Sequence, residues 1–487
     1  MRFVNTVELF DKAQEAHKKG DFDTADKMYN ALLSKSLDNP NVLFLLGTVN
    51  MQKGNNGLAI LLLNRCIERM PKDKDSEEAL GAAWNHLAIC LKKEDHVKSA
   101  DFAYEQAEKY LKQPGIPANR ASIYINNGTP EKCIEHANRS LGIDPNFIMA
   151  KWHKALGLLE LQKWDEAWEW HEARLHPDSA CDVGNRKYGD EETPLWDGGS
   201  KGLVAVHGEQ GLGDEIMFAS CIPDAIKSGA NLVIEPNPRL HGLFKRSFPE
   251  CEVYGTHKSD GSEWKNGRKV DYKIALGSLP KFYRRKESDF PGKPYLIADP
   301  ERAAFYRKRL DDIGTRPKIG IAWQGGVMKT GVSLRSIYLP DLEPILSQDA
   351  DFISLAYHST AEMDIAELEK KTGLVVHHWK EAASGEDMDD QAALISQLDL
   401  VITVCQTAVH VSGGLGIPCW VLTPSKPSWR YGVVGNMPWY ESVDLYRQKK
   451  DEDWKPVINR AKEELCLFLR NTGNKTENFT NPIRLTA

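Results

Sequence analysis

The chain has 487 residues, 41% of them hydrophobic, with 62 Lys and Arg against 69 Asp and Glu and a formal net charge of −7. That length corresponds to about three domains at about 150 residues each, and the charge argues against a general nucleic-acid or anionic-membrane binder. No run of about 18 apolar residues occurs, and the N-terminus lacks the apolar centre of a signal peptide. Nine cysteines without a CxxC pair suit reduced thiols, so a cytoplasmic protein with no membrane or nucleic-acid partner is expected.

Along residues 1–175, Gly/Ala, aromatic and Pro positions recur about every 34 residues, the period of tetratricopeptide repeats. The clearest unit carries Leu43, Leu46, Gly47, Ala59, Leu63 and Pro71. Trp84, Leu87, Ala88, Leu91, Ala100 and Tyr104 form the next, followed by Ala121, Tyr124, Cys133, Ala137 and Pro145. With a first unit (Leu9, Ala13, Ala16, Ala25, Tyr29) and a last one (Ala155, Leu158, Ala167), about five helical hairpins are expected. Each hairpin leaves an apolar face bare, so the units stack into an α-solenoid with a concave groove. Such a groove either holds a protein partner or only supports dimerisation or covers the next domain. Trp164 and Trp168, four residues apart, read as a packing seam.

Residues 176–200 lose periodicity and read as a linker. From 201 to 315 the pattern is strand, loop, helix, strand. The stretch VAVHGEQGLGDEIMF, Val204 to Phe218, passes from a buried strand through a glycine loop into an amphipathic helix. Its acids Glu209 and Asp214 stand beside a helix start, where an acid either caps the helix or has a chemical task. His207, Gly211 and Gly213 complete this loop. Further strands are expected at ANLVIEP, CEVYG and YKIAL, and KFYRRKESDFPGKP is expected to form an acceptor-side loop.

A second α/β unit spans 316–440, with strands at KIGIAW, DFISLAY, LVVHHW, DLVITV and CWVLT. Gln324 ends the first of these strands, and the loop beyond carries Lys329 and Arg335, cations suited to a diphosphate or simply solvated. In DLVITVCQTAVHVSGGLGIP a buried strand ends at Val404, and a helix starting near Gln406 and Thr407 offers free N–H groups to phosphate. His410 lies one turn in, as a ligand contact or a core histidine. Cys405 reads as structural, because no base partner is evident. Trp429 and Arg430 in PSKPSWRY would contact a ligand or pin the domain joint. Residues 441–475 are expected to end in an amphipathic helix sealed by Trp454, Val457, Ile458, Ala461, Leu465 and Phe468, followed by a tail, 476–487.

Taken together, HGEQGLGDEI, IGIAWQGG with a downstream LRSI, DLVITVCQTAVHVSGGLGIP, PSWRYG and MPWYESVDLYRQ resemble bacterial tetratricopeptide proteins with a heptosyltransferase-like, family 9 related glycosyltransferase domain. Flagellin glycosyltransferases are among those relatives. The resemblance implies an α plus α/β chain: a tetratricopeptide solenoid, then a GT-B pair of Rossmann-like domains with acceptor in the first half and nucleotide-sugar donor in the second. It implies Asp214 as general base, Arg335 and Lys329 as cations near the donor diphosphate, and Thr407 and His410 in the phosphate-cradling motif. One departure stands out: many relatives carry an aspartate where this chain has Cys405.

An inverting transfer needs a base for the acceptor hydroxyl and positive charge for the leaving phosphate. Lys329, Arg335 and the Thr407 helix start would supply that charge without a metal or other cofactor, and the acidic run GEDMDD is expected to be a solvated loop. Three functions follow. The first is transfer from a nucleotide sugar to a Ser or Thr hydroxyl of a protein recruited by the repeats. The second keeps the enzyme with a saccharide or lipid-linked acceptor. The third is a scaffold with a non-catalytic transferase-like domain. Homo-oligomerisation is compatible with each.

Overall fold

A computed structural model describes residues 6–179, 181, 193–257, 263–265, 267–326, 332–383, 385–433, 435–449 and 452–473. The chain divides into two compact units, Met1–Gly157 and Leu158–Ala487. Among the described residues no helix is long and apolar enough to cross a membrane.

The first unit is built of antiparallel helix pairs: α1 (Thr6–Lys18) with α2 (Phe22–Leu33), α3 (Pro40–Gln52) with α4 (Asn56–Arg69), α5 (Glu77–Lys93) with α6 (Val97–Tyr110), and α7 (Gly115–Asn126) with α8 (Pro130–Ile143). Helix α9 (Ile148–Glu160) spans the division between the units. Local chemistry sets the starts. Asn39 accepts from the Asn41 and Val42 N–H groups while Pro40 opens α3, and Asp21 caps α2 through Thr24 N–H. Small residues let the helices cross closely. A Cβ on Gly47 would lie 2.9 Å from Leu63 Cγ, and one on Gly81 only 2.6 Å from Leu111 Cγ. Ala59, Ala88, Ala100, Ala121 and Ala137 are fully buried, as the repeat pattern requires.

The second unit opens with α10 (Trp164–His171) and then forms two all-parallel sheets. In chain order the first half contains β1 (Leu203–His207), α11 (Leu212–Ala219), α12 (Ile222–Lys227), β2 (Asn231–Glu235), α13 (His241–Ser247), β3 (Glu252–Val253), β4 (Tyr272–Ala275), α14 (Pro280–Tyr283) and α15 (Pro300–Ile313). Its strand order is β3-β2-β1-β4, with Val204 paired to Leu232 on one side and to Tyr272 on the other.

The second half continues with β5 (Lys318–Ala322), α16 (Glu343–Leu346), β6 (Asp351–Ser354), α17 (Ala361–Thr372), β7 (Val376–His377), α18 (Lys380–Ala383) and α19 (Asp389–Ile395). It closes with β8 (Leu400–Val404), α20 (Thr407–Leu415), β9 (Cys419–Thr423), β10 (Val443–Arg447) and α21 (Lys455–Gly473). Its order is β10-β9-β8-β5-β6-β7. Every residue of β1, β5, β8 and β9 is buried, which is why they read as unbroken apolar runs. Strand β10 was not read from the sequence. It is an edge strand in which only Val443 and Tyr446 are buried, so it lacks that signature. Val457, Ile458, Ala461 and Leu465 of α21 are buried in the second sheet's core, with Trp454 and Phe468 packed against it. The three larger aliphatics contribute roughly 1.5–3 kcal/mol each.

Strand order places the functional loops. In the first sheet the direction of winding reverses between β1 and β4, and in the second between β5 and β8. Open α/β sheets bind ligands beyond the carboxyl ends of the strands at such switch points. The loops leaving β1, β5 and β8 hold the sequence candidates.

Backbone and side-chain links join the two halves of this unit. Tyr295 and Leu296 N–H both donate to Gly414 C=O at 2.9 Å, and Met388 N–H donates to Arg239 C=O at 2.9 Å. GEDMDD corrects an expectation here, since it is not a solvated loop. Asp389 is buried and pairs with Arg246 of α13, while Asp387 and Asp390 are bound by Arg302 of α15. Three acids so close need cations to offset their mutual repulsion, and arginines from the neighbouring half supply them.

Candidate functional site

The loop after β1 rises at His207, which is 5% exposed, and turns at Gly208, where a Cβ would lie 2.4 Å from Glu215 Oε2. Glu209 then points inward and is wholly buried. Its carboxylate takes a two-pronged contact from Arg174, Nε to Oε2 at 2.8 Å and Nη2 to Oε1 at 2.6 Å. Gly277 N–H donates to Oε1 at 2.8 Å, and neither side chain of the pair is exposed. Burial would raise this carboxyl, but the Arg174 guanidinium outweighs it and holds Glu209 below its ordinary range. Arg174 also donates to Ser278 Oγ, Glu172 and His171 C=O. Glu209 is thereby tied into the foundation of the loop. Arg174 lies in a stretch of sequence with no motif, and nothing in it announced this partner.

Gln210 adopts φ +59°, the left-handed region that few side chains other than glycine enter without cost. The turn lets Gly211, not Asp214, occupy the N-cap of α11. Asp214 stands at the third helical position, and its Oδ2 accepts from Gly211 N–H at 3.2 Å. Its other oxygen, Oδ1, is bound by Arg430, which also donates from Nη2 to Gln210 Oε1 at 3.1 Å. The Asp214 and Arg430 side chains keep 15% and 19% exposure, so both still reach the surface.

Arg430 belongs to the loop between β9 and β10, on the short turn Trp429–Tyr431. Trp429 anchors it within an aromatic nest of Trp168, His171 and Phe218, with ring centroids 6.0–6.2 Å away. Arg447 on β10 clamps the same loop, donating to the carbonyls of Tyr431, Gly432 and Gly435 at 2.6–2.9 Å. The Arg430 guanidinium lies 4.9 Å from the centre of the Trp429 ring. Trp164 and Trp168 stack at 5.9 Å, and Trp168 Nε1 donates to Arg284 C=O, which makes this pair a packing element.

From the second sheet, β8 ends at Val404 and α20 begins at Thr407 with Gln406 as its N-cap residue. Helices α11 and α20 meet at Gly213. A Cβ there would sit 2.9 Å from His410 Cδ2 and 3.7 Å from Thr407 Cα. The α11 N-terminus and Arg430 thus meet at Asp214, and the α20 N-terminus abuts its neighbour Gly213. Gln406 is 6% exposed; its Nε2 donates to Thr403 Oγ1, and its buried Oε1 has no hydrogen-bond partner among the described residues. His410 is buried, with Nδ1 3.2 Å from Tyr440 Oη. Burial, helped by the charge of Arg430, pushes its imidazole down to about 3, so it is neutral. Burial pushes the Cys405 thiol up to about 12, which removes it as a nucleophile.

The loop after β5 passes close to this point. A Cβ on Gly325 would lie 2.4 Å from Cys405 C=O, and Gly325 N–H is 3.4 Å from Ser336 Oγ. Gln324 is half-buried at the end of β5, and Arg335 closes the short turn Val332–Arg335, where its charge acts on the Cys405 thiol. Lys329 lies outside the described residues. Asp214, Gly213, Thr407, His410 and Gln406 are thus brought together. Gln324 and Arg335 lie in the segment that follows β5, and Glu209 is withdrawn beneath the loop.

Residues 118–147 match the tetratricopeptide repeat family model. Protein FlbA of Caulobacter vibrioides is 29% identical over 368 residues, which cover 72% of this chain and 61% of FlbA. The chain thus spans about three fifths of that relative's length. Among solved structures, MamA aligns with 34% of this chain and 88% of its own, at 24% identity and a TM-score of 0.32. ADP-heptose lps heptosyltransferase II of E. coli aligns with 55% of this chain and 99% of its own, at 14% identity and a TM-score of 0.41.

Proposed function

We propose that the second unit is an inverting glycosyltransferase that moves a sugar from a nucleotide sugar to a hydroxyl group. One observation carries this reading: an acid at the carboxyl edge of the first sheet, Asp214, pairs with an arginine contributed by the second, and its neighbour Gly213 abuts a helix N-terminus of the second. A transfer between two substrates needs a base on the acceptor side and stabilisation of negative charge on the donor side. In the proposed step the acceptor hydroxyl gives its proton to the Asp214 carboxylate. The oxygen then forms a bond to the anomeric carbon from the face opposite the leaving group. The bond from that carbon to the phosphate oxygen breaks, and the departing phosphate keeps the electron pair. Arg335, Lys329 and the N–H groups opening α20 hold that phosphate without a metal ion. Glu209 acts beneath the site by fixing the loop, not by touching substrate.

The helical array is assigned to recruit a protein whose Ser or Thr hydroxyl is the acceptor, in the cytoplasm. Tetratricopeptide units stack into grooves suited to peptides, and residues 118–147 match that family. Calorimetry of the full chain with a panel of nucleoside diphosphates and nucleotide sugars tests the donor side. Intact-mass spectrometry of a co-expressed partner tests the acceptor side. Binding of a nucleotide sugar together with a sugar-sized mass increase is expected; binding by none of the panel would remove the reading. A non-catalytic scaffold is favoured by a single observation, that both Asp214 oxygens are engaged, one by Arg430 and one by Gly211 N–H. Nucleotide-sugar binding with no turnover under any condition would select it.

A further inference from the structure

Resting on that reading, we propose that Arg430 is a shared counter-ion: it holds the Asp214 carboxylate until a donor phosphate claims it, and its departure frees Asp214 to take the acceptor proton. The geometry supplies each part. Arg430 reaches across from the second sheet's loop to Asp214 and Gln210 of the first. Its backbone cannot follow the side chain, because Trp429 is buried among aromatic rings and Arg447 grips the next carbonyls. Any movement would therefore be that of the long Arg430 side chain, which is 19% exposed and would have to leave Asp214 and Gln210. Beside it, the Tyr431 ring lies 6.2 Å from His410 in the first turn of α20. The same helix start holds Gln406, 94% buried, whose Oε1 has no partner among the described residues.

One guanidinium fork cannot serve a carboxylate and a phosphate fully at once, and both make charge-assisted two-pronged contacts with arginine. Competition has a consequence that a merely structural ion pair lacks. Removing the carboxylate should strengthen phosphate binding, because the cation no longer has to be taken from a partner. Asp214→Asn is suited to the test: the amide has the shape of the carboxylate, and its oxygen still accepts from Gly211 N–H. Arg430→Met removes the cation while keeping much of the packing on Trp429, and Arg430→Lys keeps the charge without the fork.

The experiment is isothermal titration of the full chain and its variants with inorganic pyrophosphate and nucleoside diphosphates, with circular dichroism as the folding control. Asp214→Asn is expected to bind about five- to tenfold more tightly than the parent, and Arg430→Met about tenfold more weakly. Arg430→Lys should fall between the parent and Arg430→Met. In the double variant the gain from Asp214→Asn should vanish, since no arginine remains to be released. Binding that is unchanged or weaker in folded Asp214→Asn overturns the proposal and leaves the transferase reading standing. Absence of binding by the parent and every variant removes that reading and the proposal with it.

Discussion

Arg430 and Asp214, 216 residues apart in the chain, form one ion pair between the two parallel sheets of the second unit. The pair fixes where acid and cation stand relative to the helix start at Thr407. In Asp214→Asn, donor affinity should survive while turnover falls by about 10²- to 10⁴-fold, the usual weight of a general base. Initial rates against donor concentration measure this, since the loss must appear in kcat and not as a raised KM. Unchanged turnover would remove Asp214 as the base.

The Arg174 and Glu209 pair is wholly buried, so removing one partner leaves an uncompensated charge. Arg174→Met should destabilise the second unit by about 3–5 kcal/mol, and Glu209→Gln added to it should recover part of the loss. Urea unfolding followed by tryptophan fluorescence measures both. The pH dependence has a definite sign. Glu209 is held below its ordinary 4.5 in the folded chain, so its contribution is complete above 4.5 and is lost as pH falls below it. Little change in the unfolding midpoint of Arg174→Met would mean that the pair is not buried as described.

His410 behaves oppositely in charge but similarly in direction. Folded, it stays neutral down to about 3, whereas the unfolded imidazole takes up a proton near 6.5. Its burial is therefore harmless above 6.5 and costs stability progressively as pH falls from 6.5 toward 3. His410→Gln should flatten the stability profile between about pH 6 and about pH 4 by one proton, or ~1.4 kcal/mol per pH unit. Denaturant titrations across that window would show it. A parallel slope in the variant would contradict a buried neutral imidazole.

Close helix contacts give a further test. A Cβ at Gly413 would meet Tyr440 ring carbons at 2.3–2.6 Å, and Gly213 has His410 at 2.9 Å. Gly413→Ala should cost about 1–3 kcal/mol through overpacking. Gly213→Ala should separate α11 from α20 by a few tenths of an ångström, weakening nucleotide binding more than overall stability. Thermal melts set beside calorimetry distinguish the two effects, and equal losses in both variants would argue against Gly213 as the contact that sets the site's spacing.

Much of this was legible in the sequence because it obeys short periods. The repeat anchors and the runs at β1, β5 and β8 announce themselves through spacing and unbroken apolarity. The glycine loop before Asp214 and the start at Thr407 were visible as strand-to-helix transitions. What stayed hidden depends on contacts between distant segments. Nothing local says that Arg174 would bury Glu209, or that Arg430 would choose Asp214. The run GEDMDD read as solvated because Arg246 and Arg302, which neutralise it, lie more than 80 residues away. Strand β10 escaped because only two of its five residues are buried, which leaves no unbroken apolar run to read.

The most direct measurement is a crystal structure of the full chain with a nucleoside diphosphate bound. The account expects phosphate oxygens within hydrogen-bond reach of the N–H groups opening α20 and of the Arg430 guanidinium, with Asp214 released and facing the crevice. A diphosphate bound elsewhere, with Arg430 still on Asp214, would contradict it.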